Sequence, residues 1–211
     1  MRSRRSRQST LAWIRDSPSV PAGGYTVSIL SLWAPILLAA VLVFVGSSVI
    51  HIVPKYHANG FQKVPDEDGV MDALRPFGLT PGDYLFPFAG GTEVMRSEAF
   101  LAKVEKGPIA TVTVFPADAW SNMTGQLIRW FVYGVIVSVI AAYLGSRMLG
   151  PGADYLRVFR ITGTVAFCCY AMSLPQRSLW FQQNWVTPAR SMFDGLFYPL
   201  LTAGAFGWLS P

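Results

Sequence analysis

Long apolar runs separated by polar segments dominate the pattern of the chain. Residues 32–50 and 127–149 form two such runs, and less regular runs follow at residues 161–174 and 192–209. A helix of roughly 20 residues, rising 1.5 Å per residue, crosses the hydrocarbon core of a bilayer. The pattern therefore predicts an α-helical integral membrane protein with four transmembrane helices.

The ends of these helices carry their own signals. The uncharged centre of the third run is short, so we expect its helix to extend into the flanking residues, which include Arg157 and Arg160. Pro175 is expected to kink this helix or to end it. Pro199 is expected to bend the fourth helix. Amphipathic aromatic rings prefer the membrane boundary. Eight of them fall near the proposed ends: Trp33, Tyr56, Trp120, Trp130, Tyr155, Trp180, Trp185 and Trp208.

The segment between the first two runs, residues 54–122, is too long for a simple connection. Asp66 is expected to cap one helix and Ser97 to begin another. Residues 84–88 and 109–115 have the composition of short strands. The segment is therefore predicted to be a small α+β extramembrane insertion between helices 1 and 2.

Charge sets the expected orientation. Only 14% of the residues are charged, against roughly a quarter in soluble domains. The net charge of +5 comes from an arginine-rich amino-terminal tail, which favours a topology signal over a nucleic-acid surface. The positive-inside rule places both termini in the cytoplasm and residues 54–122 outside. The predicted regions are a tail at 1–27, helix 1 at 28–53, the insertion at 54–122 and a three-helix region at 123–211.

A charged residue within a predicted span marks a candidate polar site. Asp194 lies near the start of the fourth helix, and Arg177 and Arg190 on the same side could neutralise it. Arg129 lies one turn into the second helix, where its side chain can reach the headgroups. These four residues form the predicted intramembrane polar site, either as a salt bridge that fixes the last hairpin or as an ion or substrate site.

Small residues at helical spacing predict close helix packing. Gly134, Ser138 and Ala142 form one narrow stripe, and Gly204 lies in a small-residue patch of the last helix. Packing within the chain is the first interpretation of the stripe. A homo-oligomer interface is the alternative.

Residues that could bind a metal or cofactor are few. His51 and His57 lie on one segment without a recognised ligand spacing, and Cys168 and Cys169 are adjacent in an apolar run. No nucleophile elbow is present. We therefore expect no cofactor, no metal and no enzymatic activity.

Several short motifs resemble a group of uncharacterised bacterial membrane proteins that have no assigned activity. The resemblance covers most of the chain beyond Ser28 and implies a bacterial inner-membrane location. The motifs are Met71-Asp72-Ala73-Leu74-Arg75, Pro81-Gly82-Asp83-Tyr84, Met95-Arg96-Ser97, Lys106-Gly107-Pro108, Phe193-Asp194-Gly195 and Thr202-Ala203-Gly204.

Three classes of function remain open at this stage. The first is a non-catalytic accessory or assembly subunit of a larger membrane complex, with the lipid bilayer and other membrane proteins as partners. The second is a small transporter or channel component, although no inverted repeat is visible. The third is a membrane-embedded enzyme that acts on lipid or peptide.

Overall fold

The computed structural model describes residues 27–52 and 60–210, and these form a mostly helical protein. A 3₁₀ turn at Ile29–Leu32 precedes the first helix. The helices are α1 (Trp33–Ile52), α2 (Glu67–Leu74), α3 (Thr92–Met95), α4 (Glu98–Lys106), α5 (Met123–Met148), α6 (Tyr155–Tyr170), α7 (Pro175–Phe181) and α8 (Val186–Leu209); the strands are β1 (Gly82–Phe86) and β2 (Ala110–Val114).

Three helical stretches in the described part of the chain are long and apolar enough to cross a membrane. They are Ile29–Ile52, Met123–Met148 and Tyr155–Phe181. These correspond to the first three predicted spans, and the helical class of the protein is confirmed. The stretch at 192–209 lies in α8, which is not among the three.

The four long helices pack as a closed bundle in which each packs mainly along two others. Helix α1 lies against α5 and α8, and α6 lies against the same two helices from the other side. Two apolar clusters fill the centre, one containing Ala39, Ala142 and Phe206 and the other Val43 and Val137. Small side chains at these contacts let the helix backbones approach closely.

The helix ends differ from the sequence prediction at two places. Helix α6 ends at Tyr170, and Pro175 is the first residue of α7, where its missing amide hydrogen is no loss. Helix α8 begins at Val186, six residues before the apolar run at 192–209. Pro188 and Arg190 lower the apolar character of that first turn, so hydropathy alone does not reveal it.

Residues 60–122, which we call the α+β segment, have the predicted order of helix, strand, helix and strand. The carboxylate of Asp66 accepts a hydrogen bond from Gly69 N, and the hydroxyl of Ser97 accepts one from Phe100 N, so both caps are confirmed. Strands β1 and β2 pair antiparallel, with Tyr84 opposite Val112. The short helix α3 was not predicted.

Candidate functional site

Asp194 is the most buried charged residue in the described part of the chain. It lies on α8 and is only 3% exposed. His51, near the end of α1, exerts an electrostatic effect on its carboxylate. Tyr198 follows one helical turn later on α8 and interacts with the same carboxylate. The packing of α8 on α1 therefore brings an acid, an imidazole and a phenol to one end of the bundle.

Four aromatic rings form a cluster beside this acid. Trp130 and Tyr133 come from α5, Tyr170 from the last residue of α6, and Tyr198 from α8. Tyr170 and Tyr198 have ring centroids 5.5 Å apart, and Trp130 lies 5.8 Å from both Tyr133 and Tyr198. Edge-to-face and stacked pairs at these distances are favourable, so the cluster ties three helices together.

Hydrogen bonds connect the aromatic cluster to α1 and α6. Trp130 Nε1 donates to Ser47 Oγ at 2.9 Å, and Ser47 is buried on α1. His51 Nδ1 lies 2.8 Å from the carbonyl oxygen of the same serine. Tyr133 Oη donates to Cys169 O at 2.8 Å. Ser47 is thus the residue that links Trp130 to the helix carrying His51.

One hydroxyl in the cluster is buried without a partner. Tyr170 is 7% exposed, and its Oη makes no hydrogen bond with the described residues. A Cβ built on Gly134 would lie 3.7 Å from this oxygen. A buried hydroxyl without a partner costs free energy, so this position is a weak point in the packing.

The unpartnered hydroxyl of Tyr170 predicts the direction in which its removal changes the free energy of unfolding. Tyr170→Phe is expected to leave the free energy of unfolding unchanged or to raise it by about 1 kcal/mol, because it removes a buried polar atom that has no partner. Tyr133→Phe is expected to lower it by about 1 kcal/mol, because it deletes the bond to Cys169 O. Unfolding in detergent, followed by circular dichroism, measures both. Equal losses in the two variants would contradict the assignment.

The predicted arginines occupy different environments. Arg129 is exposed on α5, and Arg177 is exposed on α7. Arg190 lies one turn before Asp194 on α8 and is half-buried, and its Nη1 is buried without a hydrogen-bond partner among the described residues. The sequence groups these arginines around Asp194, and within the described residues His51 on α1 also exerts an electrostatic effect on Asp194.

The predicted packing residues divide into two groups. Gly134, Ser138 and Ala142 are all buried on α5, and a Cβ on Gly134 would lie 3.8 Å from the Cα of Ala40 on α1. The stripe therefore lies against another helix of the same chain. Gly204 on α8 is half-buried, and a Cβ added there would meet no atom within 4 Å.

The side chains that could bind a metal ion are not clustered in the part of the chain that the structure describes. Within residues 27–52 and 60–210, no group of three or more His, Cys, Asp or Glu could hold a metal ion. Cys168 is exposed and Cys169 is half-buried, and both are free thiols. His57 and the arginines of the tail lie outside the described residues.

The sequence does not predict that Tyr198 interacts with Asp194. It also does not predict that Trp130 is half-buried and donates a hydrogen bond to Ser47. One signal was available: Tyr198 follows Asp194 by four residues, and Ser47 precedes His51 by four, so each pair shares a helix face.

The fold and the site together define a mostly helical protein with three helices apolar enough to span a membrane and a polar aromatic cluster at one end of its bundle. No protein-family model, curated protein or solved structure matches the chain.

Proposed function

We propose that the chain is a non-catalytic accessory or assembly subunit of a larger bacterial membrane complex. The observation that carries this proposal is that no side chain between residues 60 and 122 is buried. A segment of this size that folds alone needs an apolar core to offset the loss of chain entropy. The α+β segment lacks one, so a partner surface is needed to cover its apolar side chains.

Those apolar side chains are large and open to solvent. Phe61, Phe77 and Phe88 are 93%, 72% and 73% exposed, and Ile109 and Phe115 are more than half exposed. Exposed apolar groups in this density are typical of protein interaction surfaces. The segment also carries nine acidic and five basic residues. This surplus of negative charge repels anionic lipid headgroups, so it disfavours contact with them. A protein partner fits this surface better than the bilayer does.

The proposal includes four membrane spans, with α8 as the fourth. Its 24 residues extend about 36 Å, enough to cross a hydrocarbon core of about 30 Å. It packs along α1 and α6, which both belong to candidate spans. The buried Asp194 accounts for its lower hydropathy without removing it from the bundle.

The proposed location is the bacterial inner membrane, with both termini in the cytoplasm. The last turn of α5 carries Arg147, and the first turns of α6 carry Arg157 and Arg160, as the positive-inside rule requires of the residues that flank a cytoplasmic connection.

Cysteine labelling tests this orientation. In a chain whose Cys168 and Cys169 are replaced by serine, an impermeant thiol reagent applied to intact cells is expected to label Gly91→Cys and not Gly150→Cys. Neither glycine has an atom within 4 Å of its Cβ position, so both substitutions are tolerated sterically. Labelling of Gly150→Cys alone would reverse the topology, and permeabilised cells provide the control for reactivity.

Photo-crosslinking in native membranes tests the proposed complex. p-Benzoylphenylalanine placed at Phe88 is expected to give one or a few discrete adducts that mass spectrometry identifies as other proteins. The same probe at Glu105, which is exposed on α4 beside the charged residue Lys106, is the matched control and is expected to give fewer. Adducts only with a second copy of the chain, or only with lipid, would contradict the accessory-subunit function.

A small transporter or channel component is the second candidate, and the burial of Asp194 beside His51 is the observation that favours it. Buried acids within membrane spans frequently belong to ion or proton pathways. Under this alternative, liposomes that contain the purified chain alone would show ion flux, and Asp194→Asn would abolish it. Under the accessory-subunit proposal, flux through the chain alone is expected to equal that of empty liposomes.

A further inference from the structure

Strand β2 is an open edge of the sheet in the α+β segment. On one side it pairs with β1, in a continuous register from Ala110 opposite Phe86 to Val114 opposite Gly82. On its other side it makes no backbone hydrogen bond to the residues that the structure describes. In an antiparallel pair, alternate residues direct their N–H and C=O groups away from the partner strand. These groups form a row with which a further strand can pair.

The usual protections of an edge strand are absent from β2. Edge strands commonly carry a lysine, a proline or a bulge, each of which prevents pairing with another chain. β2 has the sequence ATVTV, which contains no charge and no proline, and its register with β1 has no bulge. The edge of β1 differs, because Asp83 places a charge near its middle. Of the two edges, β2 is therefore the one suited to pairing.

The sheet has too few strands to be stable by itself. A two-stranded hairpin is marginally stable in water and needs further strands or a packed helix. No residue of either strand is buried, and among the described residues β1 is the only element with which β2 makes extensive contact. Tyr84 and Val112 lie opposite each other on an apolar face that is only half-buried. An added strand would extend this face and supply the missing packing.

The sequence of β2 identifies a second copy of the same strand as the one that fits. Thr111 and Thr113 lie on either side of Val112, so the pattern is nearly the same in both directions. A twofold axis at Val112 places this residue opposite its own copy and each Thr111 opposite a Thr113. Opposite threonines form favourable cross-strand pairs, and because β2 is uncharged, no like charges meet across the axis.

We propose that two copies of the chain pair through their β2 strands, antiparallel about a twofold axis at Val112, and form one four-stranded sheet. The strand order is β1-β2-β2-β1, and the apolar face that contains Tyr84 and Val112 becomes continuous across both copies. This inference goes beyond the accessory-subunit proposal, since it concerns how many copies of the chain associate. Phe88, the position of the photo-crosslinking probe, lies outside both strands, so the two proposals are tested separately.

Thiol crosslinking in native membranes tests the pairing. In a full-length chain whose Cys168 and Cys169 are replaced by serine, Val112→Cys is expected to form a covalent dimer with a short bifunctional methanethiosulfonate, because opposite residues have Cβ atoms about 5 Å apart. Tyr84→Cys, equally half-buried on the same face of β1, is the matched control. It is expected to remain monomeric, since three strand spacings of about 14 Å separate it from its copy. Dimers from Tyr84→Cys, or adducts of Val112→Cys only with another protein, would overturn the proposal.

The antiparallel register has its own test. A mixture of Thr111→Cys chains and Thr113→Cys chains is expected to give more covalent dimer than either variant alone, because the twofold axis places these positions opposite each other. The two variants carry different tags, so the mixed dimer is recognised by its mass. Equal crosslinking of each variant with its own copy would indicate parallel pairing and overturn the proposed axis.

Charge substitution at the axis keeps the test decisive if a cysteine variant folds poorly. Val112→Lys places two like charges opposite each other, and so does Val112→Glu, so each variant alone is expected to lose the co-purification of differently tagged copies. Co-expression of the lysine variant with the glutamate variant is expected to restore it, because opposite charges then meet, whereas a folding defect would persist. Co-purification that is retained in each single variant, or that is not restored in the mixture, would overturn the pairing.

Discussion

Replacement of Gly195 by leucine is expected to lower the free energy of unfolding by about 3 kcal/mol, or to prevent the bundle from forming. Gly195 is buried on α8 at the point where this helix meets the end of α6. A Cβ there would lie 2.8 Å from the Cβ and 3.3 Å from the Cα of Ala171. Because one of these atoms is backbone, the side chain cannot be accommodated by rotation, and the two helices must separate.

The same helix offers a matched control for this prediction. Gly204 lies more than two turns further along α8, and a Cβ added there meets nothing within 4 Å. Gly204→Ala is expected to leave the free energy of unfolding unchanged or to raise it slightly, since alanine is a better helix former than glycine. Detergent unfolding of Gly195→Ala, Gly195→Leu and Gly204→Ala gives the comparison. Equal stability of all three variants would show that α8 does not contact Ala171 as described.

Local signals explain why much of the fold could be predicted. Asp66 and Ser97 satisfy the amide groups of the helices that they begin, a rule that depends on a few adjacent residues. Strand β2 lies within the predicted residues 109–115 because a run of four consecutive β-branched residues, 111–114, specifies it. Strand β1 ends before Pro87, which cannot donate a ladder hydrogen bond. Each of these features is decided over less than ten residues.

Helix ends that depend on context were harder to predict. Helix α5 begins at Met123, where the side chain of Asn122 accepts a hydrogen bond from Gly125 N, although the apolar run begins only at residue 127. Helix α8 likewise begins before its apolar run, although its N-cap residue, Trp185, makes no side-chain capping bond. Hydropathy detects the part of a helix that faces lipid, and the polar first turn beyond it is determined by capping and by contacts with neighbouring helices.

The candidate site could be predicted only in part, since it depends on how the helices rotate against one another. The sequence marked Asp194 because an acid in an apolar run is unusual. It could not show that the electrostatic effect of His51 on α1 would reach that acid, since His51 is more than 140 positions away. The contact of Trp130 with Ser47 spans 83 residues and has no local pattern that predicts it.

Asp194→Asn is expected to lower the free energy of unfolding by about 1 kcal/mol or less, because the attraction that it removes is to the exposed His51 and is offset by the cost of burying the carboxylate. The carboxylate is 3% exposed, and His51 from α1 and Tyr198 from α8 interact with it. A substitution at this position therefore affects the contact between two helices. Circular dichroism during detergent unfolding measures the loss, and Arg129→Gln, at an exposed position on α5, is expected to produce little change.

A double-mutant cycle separates the contact with His51 from other consequences of losing the acid. His51→Gln alone is expected to destabilise the bundle less than Asp194→Asn does, because His51 is exposed to solvent. In the double variant, the combined loss is expected to fall short of the sum of the two single losses by about 0.5 kcal/mol, the lower end of the interaction energies of coupled side chains. The pair Asp194→Asn and Arg129→Gln should instead be additive. Additivity in both pairs would mean that Asp194 stabilises the bundle without His51, and the assignment of His51 as its partner across the helices would be wrong.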